Sequence, residues 1–272
     1  MTTLQLIKAA LAEDIGTGDV TSRLTVPAGR LASGRLVART DGVLAGLDVC
    51  RRVFLAADRS VRFLPRLKDG RRFHRDQVLA IVSGRARSIL SAERTALNFV
   101  QRLSGIASAT RRFVDAIDGT RAVILDTRKT IPGWRSLEKY AVRCGGGTNH
   151  RLGLYDMILI KDNHLAVAGS VTGAIERCRS SLLPMEVEVL TLNGVEEAIA
   201  AGARRILLDN MTVAQIRRAV AIARGRARLE ASGGISLKTV RRVAEAGVDY
   251  ISVGAITHSA PAADIALDFL PD

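Results

Sequence analysis

Aromatic side chains are scarce in this chain, with one tryptophan, three tyrosines and six phenylalanines among 272 residues. That argues against a platform for single-stranded nucleic acid, which depends on exposed rings to stack the bases. Cysteine is rarer still. Cys50, Cys144 and Cys178 are odd in number and widely spaced, with no CxxC pair. Neither a disulfide frame nor a zinc site is expected from them, and they read as reduced, mostly buried thiols. No apolar run approaches the ~20 residues of a membrane helix, and no basic, apolar leader opens the chain, so a cytoplasmic protein without a membrane span is expected. No GxGxxG follows a strand-like run, so no dinucleotide fingerprint is present. Acidic residues are also in deficit: 27 against 40 lysines and arginines, a net charge of +13. Such an excess attracts polyanions, whether nucleic acid or phosphorylated metabolites. It also fits a general arginine bias on helix faces, as at Arg217, Arg218, Arg241 and Arg242.

What is present is an alternation. From residue 122 onward, short β-branched runs at 122–125, 157–160, 186–190, 205–208, 228–231 and 250–253 alternate with amphipathic stretches such as 192–201, 213–223 and 237–246. Glycines at 202, 225 and 247 close those stretches. Alternation of this kind implies a parallel sheet, because parallel neighbours need helical crossovers. The unit spacing suits a (β/α) barrel better than an open sheet. The first hundred residues differ, with alternating runs at 32–39, 43–45, 61–64 and 78–83 around helical segments at 4–12 and 49–57. That pattern predicts an antiparallel α+β module. A strong helix is expected over 91–109, started by Ser91 and Arg94. Ala96, Val100, Leu103 and Ala107 form its apolar stripe, with Arg94, Asn98 and Arg102 opposite. The division expected is 1–104 for the first module and 105–259 for the barrel, with the tail 260–272 packing on the first module.

In a barrel of this type, ligands bind at the C-terminal ends of the strands. Those ends read Asp126-Thr127-Arg128-Lys129, Lys161-Asp162-Asn163-His164, Glu188, Asp209-Asn210, Ser232-Gly233-Gly234 and Gly254. Cations fixed at such positions call for a strongly anionic substrate. The glycine turns after the last two strands can offer backbone N–H groups to a phosphate, although strand-to-helix turns also need glycine for conformation alone. Glu188 and Asp209 suit Mg²⁺ held partly by waters and substrate phosphates, or else a salt bridge to Lys161 or Lys129. Glu186 shares a face with Glu188 and stays a candidate beside it. His150 and Arg151 follow a triple glycine and suit the holding of a carboxylate; His74, His164 and His258 have weaker cases. Arg135, Lys139 and Arg143 read as helix surface, and Trp134, Leu137 and Tyr140 as core. The composite is a Mg²⁺-assisted enzyme with one phosphorylated and one carboxylate-bearing substrate, relying on positioning and charge more than on proton abstraction.

The segment TRKTIPGWRSLEKYAVRCGGGTNHRLGLYDMILIKDNH resembles the central signature of the quinolinate phosphoribosyltransferase family. The likeness runs along nearly the whole chain, through EDIGTGDVTS, SAERTALNFVQRLSGIA, MEVEV, LLDNM, LEASGGI and GVDYISVGAITHS in order. It implies an incomplete α/β barrel preceded by an α/β sandwich, assembled as a homodimer with shared active sites or as a hexamer. The implied reaction joins quinolinate to phosphoribosyl pyrophosphate, giving nicotinate mononucleotide, pyrophosphate and CO₂ in NAD biosynthesis. By that resemblance Arg128, His150, Arg151 and Lys161 hold the quinolinate carboxylates, and Arg102 reaches in from the neighbouring subunit. Lys129, Ser232, Gly233, Gly234 and Gly254 bind the phosphoribosyl pyrophosphate, while Glu188 and Asp209 face the ribose and its Mg²⁺. Lys129, Lys161, Glu188 and Asp209 carry the catalysis. Two positions depart from the family pattern: Leu190 stands where an acidic residue is common, and Trp134 where a smaller apolar residue is usual. A paralogous group linked to molybdenum transport shares the fold and is the alternative. The intact DTRKT and LIKDNH segments favour the quinolinate enzyme over it. A nucleic-acid binder, suggested by the charge alone, would have no use for the strand-end carboxylates.

Overall fold

In a computed structural model the chain is described from Met1 to Leu270. It opens with α1 (Thr3–Ile15), whose first turn is closed by a capping box: the Thr2 hydroxyl accepts from Gln5 N and the Gln5 side chain accepts from Thr2 N. The GTGDVTS turn becomes the cap of α2 (Val20–Thr25), with the Asp19 carboxylate accepting from Ser22 N at 2.9 Å. There follow β1 (Leu31–Ala38), β2 (Gly42–Val43), α3 (Leu47–Ala57), β3 (Arg62–Pro65), β4 (Arg72–Phe73), β5 (Val78–Arg85) and the long α4 (Ala86–Ala116). The second half runs β6 (Val123–Leu125), α5 (Arg135–Cys144), β7 (Ile158–Ile160), α6 (Asp162–Ala168), α7 (Val171–Cys178) and β8 (Met185–Val189). It continues with α8 (Leu192–Ala200), β9 (Arg205–Asp209), α9 (Val213–Ala223), β10 (Arg228–Ser232), α10 (Val240–Glu245), β11 (Tyr250–Ser252), α11 (Ala255–His258) and β12 (Ile265–Phe269).

Two compact units emerge. One comprises Met1–Arg111, Ile131–Gly146 and the residues from Ala260 on; the other comprises Arg112–Thr130 and Gly147–Ser259. The break expected at 104/105 falls inside α4, which runs on unbroken across it, and the first unit takes in α4 as far as Arg111. Residues 131–146 join the first unit through specific contacts. Trp134 stacks on Phe99 with ring centroids 4.5 Å apart, Glu138 takes Arg102 at 2.8 Å, and the Tyr140 hydroxyl donates to Asp69 at 2.8 Å. The tail expectation also covers Pro271 and Asp272, which lie outside the described residues.

The first unit is built on an antiparallel sheet of order β12-β1-β5-β3, with a β2-β4 ribbon. β12 was not among the expected strands; it pairs with β1 from Gly34↔Phe269 to Ala38↔Ile265. The expected stripe of α4, Ala96, Val100, Leu103 and Ala107, is fully buried. Ser104 and Ser108 on the same helix accept from Ala45 N and Val43 N, supplying partners to the end of β2 and the residues just after it. α4 begins five residues before Ser91, because the Ser91 hydroxyl bonds the Arg87 carbonyl one turn back and sits within the helix. Lys139, expected on a helix surface, is instead buried. It lies in a run of α5 (Leu137, Glu138, Ala141, Val142) that is buried on more than one face.

The second unit is a six-stranded parallel sheet of order β6-β11-β10-β9-β8-β7. Every strand expected after residue 122 is present within two residues of its expected ends. β6 and β7 are the two edges and do not pair with each other, so the barrel is incomplete. The β6 edge is extended by a bridge to Thr148, whose N–H donates to Ile124 O while its carbonyl accepts from Asp126 N. Helices α8 and α9 start at threonine caps, Thr191 and Thr212.

Gly105 in α4 is required sterically: a Cβ there would collide with the Pro261 carbonyl. Gly105→Ala should destabilise the chain by about 1–3 kcal/mol, read as a lowered denaturant midpoint with an unchanged slope.

Candidate active site

Side chains two apart on a strand share a face. On β8 that groups Glu186 with Glu188; on β9, Arg205 with Leu207 and Asp209; on β10, Glu230 with Ser232. The C-terminal ends of these strands surround a cavity of about 720 Å³. Arg128, Lys129, His150, Arg151, Lys161, Glu188, Asp209, Ser232, Gly233, Gly234 and Gly254 all line it. Of the residues that the family resemblance assigns to the substrates and Mg²⁺, Arg102 is not in its lining. It lies on α4 in the first unit, where its guanidinium donates to Glu138 Oε1 and to the Ala260 carbonyl.

The cations at the rim are held close to one another. Arg151 is buried, donates to the Met157 carbonyl at 3.2 Å, and has its pKa lowered by burial first and then by the neighbouring Arg128 charge. Two guanidinium groups placed so that each disfavours the other are paired best by an anion with more than one negative group. Lys161, at the N-terminus of α6, reaches Glu188 at 3.0 Å. Its backbone N–H donates to His164 Nδ1, which gives that histidine a capping role. Lys129 is exposed. Its backbone is pinned by Thr127 Oγ1, which accepts from its N–H, and by Thr257 Oγ1, which donates to its carbonyl.

The late turns need their glycines. Gly233 has φ +88°, and a Cβ there would collide with the Asn210 side chain. Gly234 follows at φ +61°, and Asn210 itself adopts φ +53° while donating its N–H to Ser232 O. A Cβ at Gly254 would press on Lys129 and His258 at 3.2 Å. These turns put bare backbone beside Lys129, an arrangement suited to phosphate.

Beneath the rim lies a buried polar layer. Asp126 is fully buried and accepts from His150 N at 2.8 Å and Asn149 Nδ2 at 2.6 Å, fixing the chain after the triple glycine. His150 Nε2 contacts Glu186 Oε2 at 3.0 Å and Glu230 Oε1 at 3.6 Å. Arg205 donates to Glu186 at 2.9 Å and to Glu230, and lies over the Tyr250 ring at 4.4 Å. Glu186 is therefore a member of this layer and is absent from the cavity lining. Glu230, which does line the cavity, was not anticipated. The signal was available: it stands two residues before Ser232 on the same strand. Asn210 and His258 also line the cavity.

Glu188 and Asp209 sit on neighbouring strands at the cavity wall, Glu188 already bonded to Lys161 and Asp209 Oδ2 accepting from Asn210 at 2.9 Å. Two carboxylates are too few to enclose Mg²⁺ but suit one whose octahedron is completed by waters and phosphate oxygens.

Fold and site together define a barrel enzyme of the class that binds phosphorylated, carboxylate-bearing ligands at its strand ends. Family models agree: the quinolinate phosphoribosyl transferase N-terminal domain matches residues 19–104 and its C-terminal domain residues 106–268. The chain is 48% identical to the nicotinate-nucleotide pyrophosphorylase [carboxylating] of Mycobacterium leprae, covering 96% of this chain and 95% of that one. It is 43% identical to the probable enzyme of the same name from Bacillus subtilis, covering 97% and 92%. Among solved structures it resembles NadC from Streptococcus pyogenes, with a TM-score of 0.94 at 43% identity, covering 100% of this chain and 99% of that one. The nicotinate-nucleotide pyrophosphorylase of Francisella tularensis superposes with a TM-score of 0.95 at 41% identity, covering 98% and 96%. The chain belongs to the quinolinate phosphoribosyl transferase family.

Because Gly233 is needed for both conformation and space, Gly233→Ala should weaken binding of inorganic pyrophosphate by about tenfold or more, from ~1–3 kcal/mol of backbone strain. Titration calorimetry on the folded variant measures this.

Proposed function

We propose that the chain transfers the phosphoribosyl group of phosphoribosyl pyrophosphate to the ring nitrogen of quinolinate with loss of CO₂, releasing nicotinate mononucleotide and pyrophosphate for NAD biosynthesis. The observation that carries this is the Arg128–Arg151 pair, which calls for a ligand with two adjacent negative groups next to a phosphate cradle. Quinolinate has two neighbouring carboxylates. With these against Arg128, Arg151 and Lys161, its ring nitrogen faces the ribose held between Glu188, Asp209 and the Gly233–Gly234 turn. The bond from C1 of the ribose to pyrophosphate breaks through an oxocarbenium-like state as the nitrogen–C1 bond forms. Lys129 lies where the departing charge collects and offers an ammonium to it. The resulting pyridinium accepts the electron pair left when the adjacent carboxylate departs as CO₂, and that carbon then takes up a proton. The substrate serves as its own electron sink, so no Schiff-base lysine is required.

Mg²⁺ held by Glu188 and Asp209 together with substrate oxygens would neutralise pyrophosphate charge. The protein side chains do the positioning. A homodimer, alone or within a hexamer, in which Arg102 of one copy completes the quinolinate site of the other, belongs to this proposal. Its test is a heterodimer of Arg102→Ala and Lys161→Ala chains, which should recover activity that neither parent has. Within the described residues no helix is long and apolar enough to cross a membrane, and a cytoplasmic location is part of the same proposal.

Lys129→Ala and Lys161→Ala should each lower kcat by about a hundredfold or more, as for loss of one charge-stabilising donor, with circular dichroism unchanged. Quinolinate-dependent pyrophosphate release measures the effect and separates this activity from that of the molybdenum-linked paralogues. Full activity in either variant overturns the assignment.

A further inference from the structure

Glu138 is fully buried, and its two oxygens serve different neighbours. Oε1 accepts twice from Arg102, from Nη2 at 2.8 Å and from Nε at 3.1 Å. Oε2 accepts from the Ile131 N–H at 3.3 Å. Arg102 is gripped on its other side as well, where Nη1 donates to the Ala260 carbonyl at 3.0 Å. That carbonyl belongs to a stretch held close along α4: Gln101 O accepts from Ala263 N at 2.9 Å, and Gly105 leaves room for the Pro261 carbonyl.

A guanidinium bonded through all three of its nitrogens has little freedom to turn. Its side chain nevertheless remains 20% exposed, so the cation that compensates the buried carboxylate still reaches the surface. A second contact beside the pair keeps the two segments in register. Trp134, the N-cap of α5, stacks on Phe99 of α4. Phe99 and Arg102 lie one turn apart on their helix, as do Trp134 and Glu138 on theirs, where Glu138 N donates to the Trp134 carbonyl at 2.9 Å. An arginine loses many rotamers when it closes on a ligand, and one already held in place loses few.

We propose that Glu138 is a positioning residue for the active site of the neighbouring copy: it holds the Arg102 guanidinium, ahead of binding, in the orientation that meets quinolinate on the other chain. This rests on the quinolinate activity and the shared-site homodimer proposed above. The other route open to Glu138 runs through Ile131, which directly follows Arg128-Lys129-Thr130 of its own chain. Arg102 takes two bonds between opposite charges, at 2.8 and 3.1 Å, whereas Ile131 offers one longer bond, at 3.3 Å, from a neutral N–H. The stronger coupling is to the arginine.

The experiment compares steady-state kinetics of the wild type, the Glu138→Gln homodimer and a mixed dimer of Glu138→Gln with Lys161→Ala chains. A glutamine keeps the size of the side chain, but no orientation of its amide accepts from both Arg102 and Ile131. In the homodimer the quinolinate KM should rise about tenfold, with kcat and the phosphoribosyl pyrophosphate KM within about twofold of wild type. A merely structural lesion would lower the active fraction, hence kcat, and leave KM alone. The mixed dimer decides the route. Its working site combines the strand ends of the Glu138→Gln chain with Arg102 of the Lys161→Ala chain, whose own Glu138 is intact. That site should show the wild-type quinolinate KM. A KM raised as in the homodimer means that Glu138 acts within its own chain, and overturns the proposal; so does an unchanged KM in the homodimer. If Arg102→Ala and Lys161→Ala chains recover no activity together, the shared site fails instead, and absence of quinolinate turnover in the wild type overturns the activity. Should Glu138→Gln chains not fold, a crystal structure of the wild type with quinolinate decides. Arg102 should meet the ligand of the other copy with both Glu138 bonds kept, and a guanidinium that has swung away from Glu138 to reach it refutes the proposal.

Discussion

Arg128 and Arg151 repel each other, and much of the catalytic unit can be understood as the means of keeping them together. Arg151 is buried and bonded to the Met157 carbonyl; its backbone is tied to His150, and His150 in turn to Asp126 and Glu186. Each bond removes a direction in which the guanidinium could retreat into solvent. A multiply anionic ligand relieves that repulsion. Positioning of this sort needs no reorganisation at the moment of reaction.

Charge in the barrel is arranged in two layers with opposite logic. In the lower layer Arg205 is held by two carboxyl groups and an aromatic face. In the upper layer the cations outnumber the carboxylates that line the same cavity. A buried ion network costs desolvation energy, and its return here is geometric: it fixes the platform on which the upper layer stands.

The strands of the barrel were legible from β-branched runs, and the strand-end residues followed from topology, because a parallel barrel leaves one end for chemistry. Arg128, Lys161 and Glu188 were accessible for that reason. Glu230 and Arg205 were less so. They lie one and two pleats below the rim, and charged residues within a strand are easily taken for exposed ones. Lys139 shows the same limit: a charged residue in a helix says nothing about which faces are covered when the covering elements come from distant sequence. β12 went unread because a five-residue strand near the chain end has little pattern to distinguish it, and its partner β1 is more than two hundred residues away. Ser91 misled in another way, since a serine in a helical pattern marks a start only where its side chain meets an unpaired N–H.

The pairing of β1 with β12 has a consequence for synthesis. β1 is made more than two hundred residues before the strand that covers one of its edges. Trp134, the stacking partner of Phe99 just ahead of α5, comes midway. On the ribosome the first unit must therefore wait, with an open strand edge, while the whole second unit is translated. The barrel can close its own contacts in the meantime. The unit that holds β1 is thus completed only after β12 has been made.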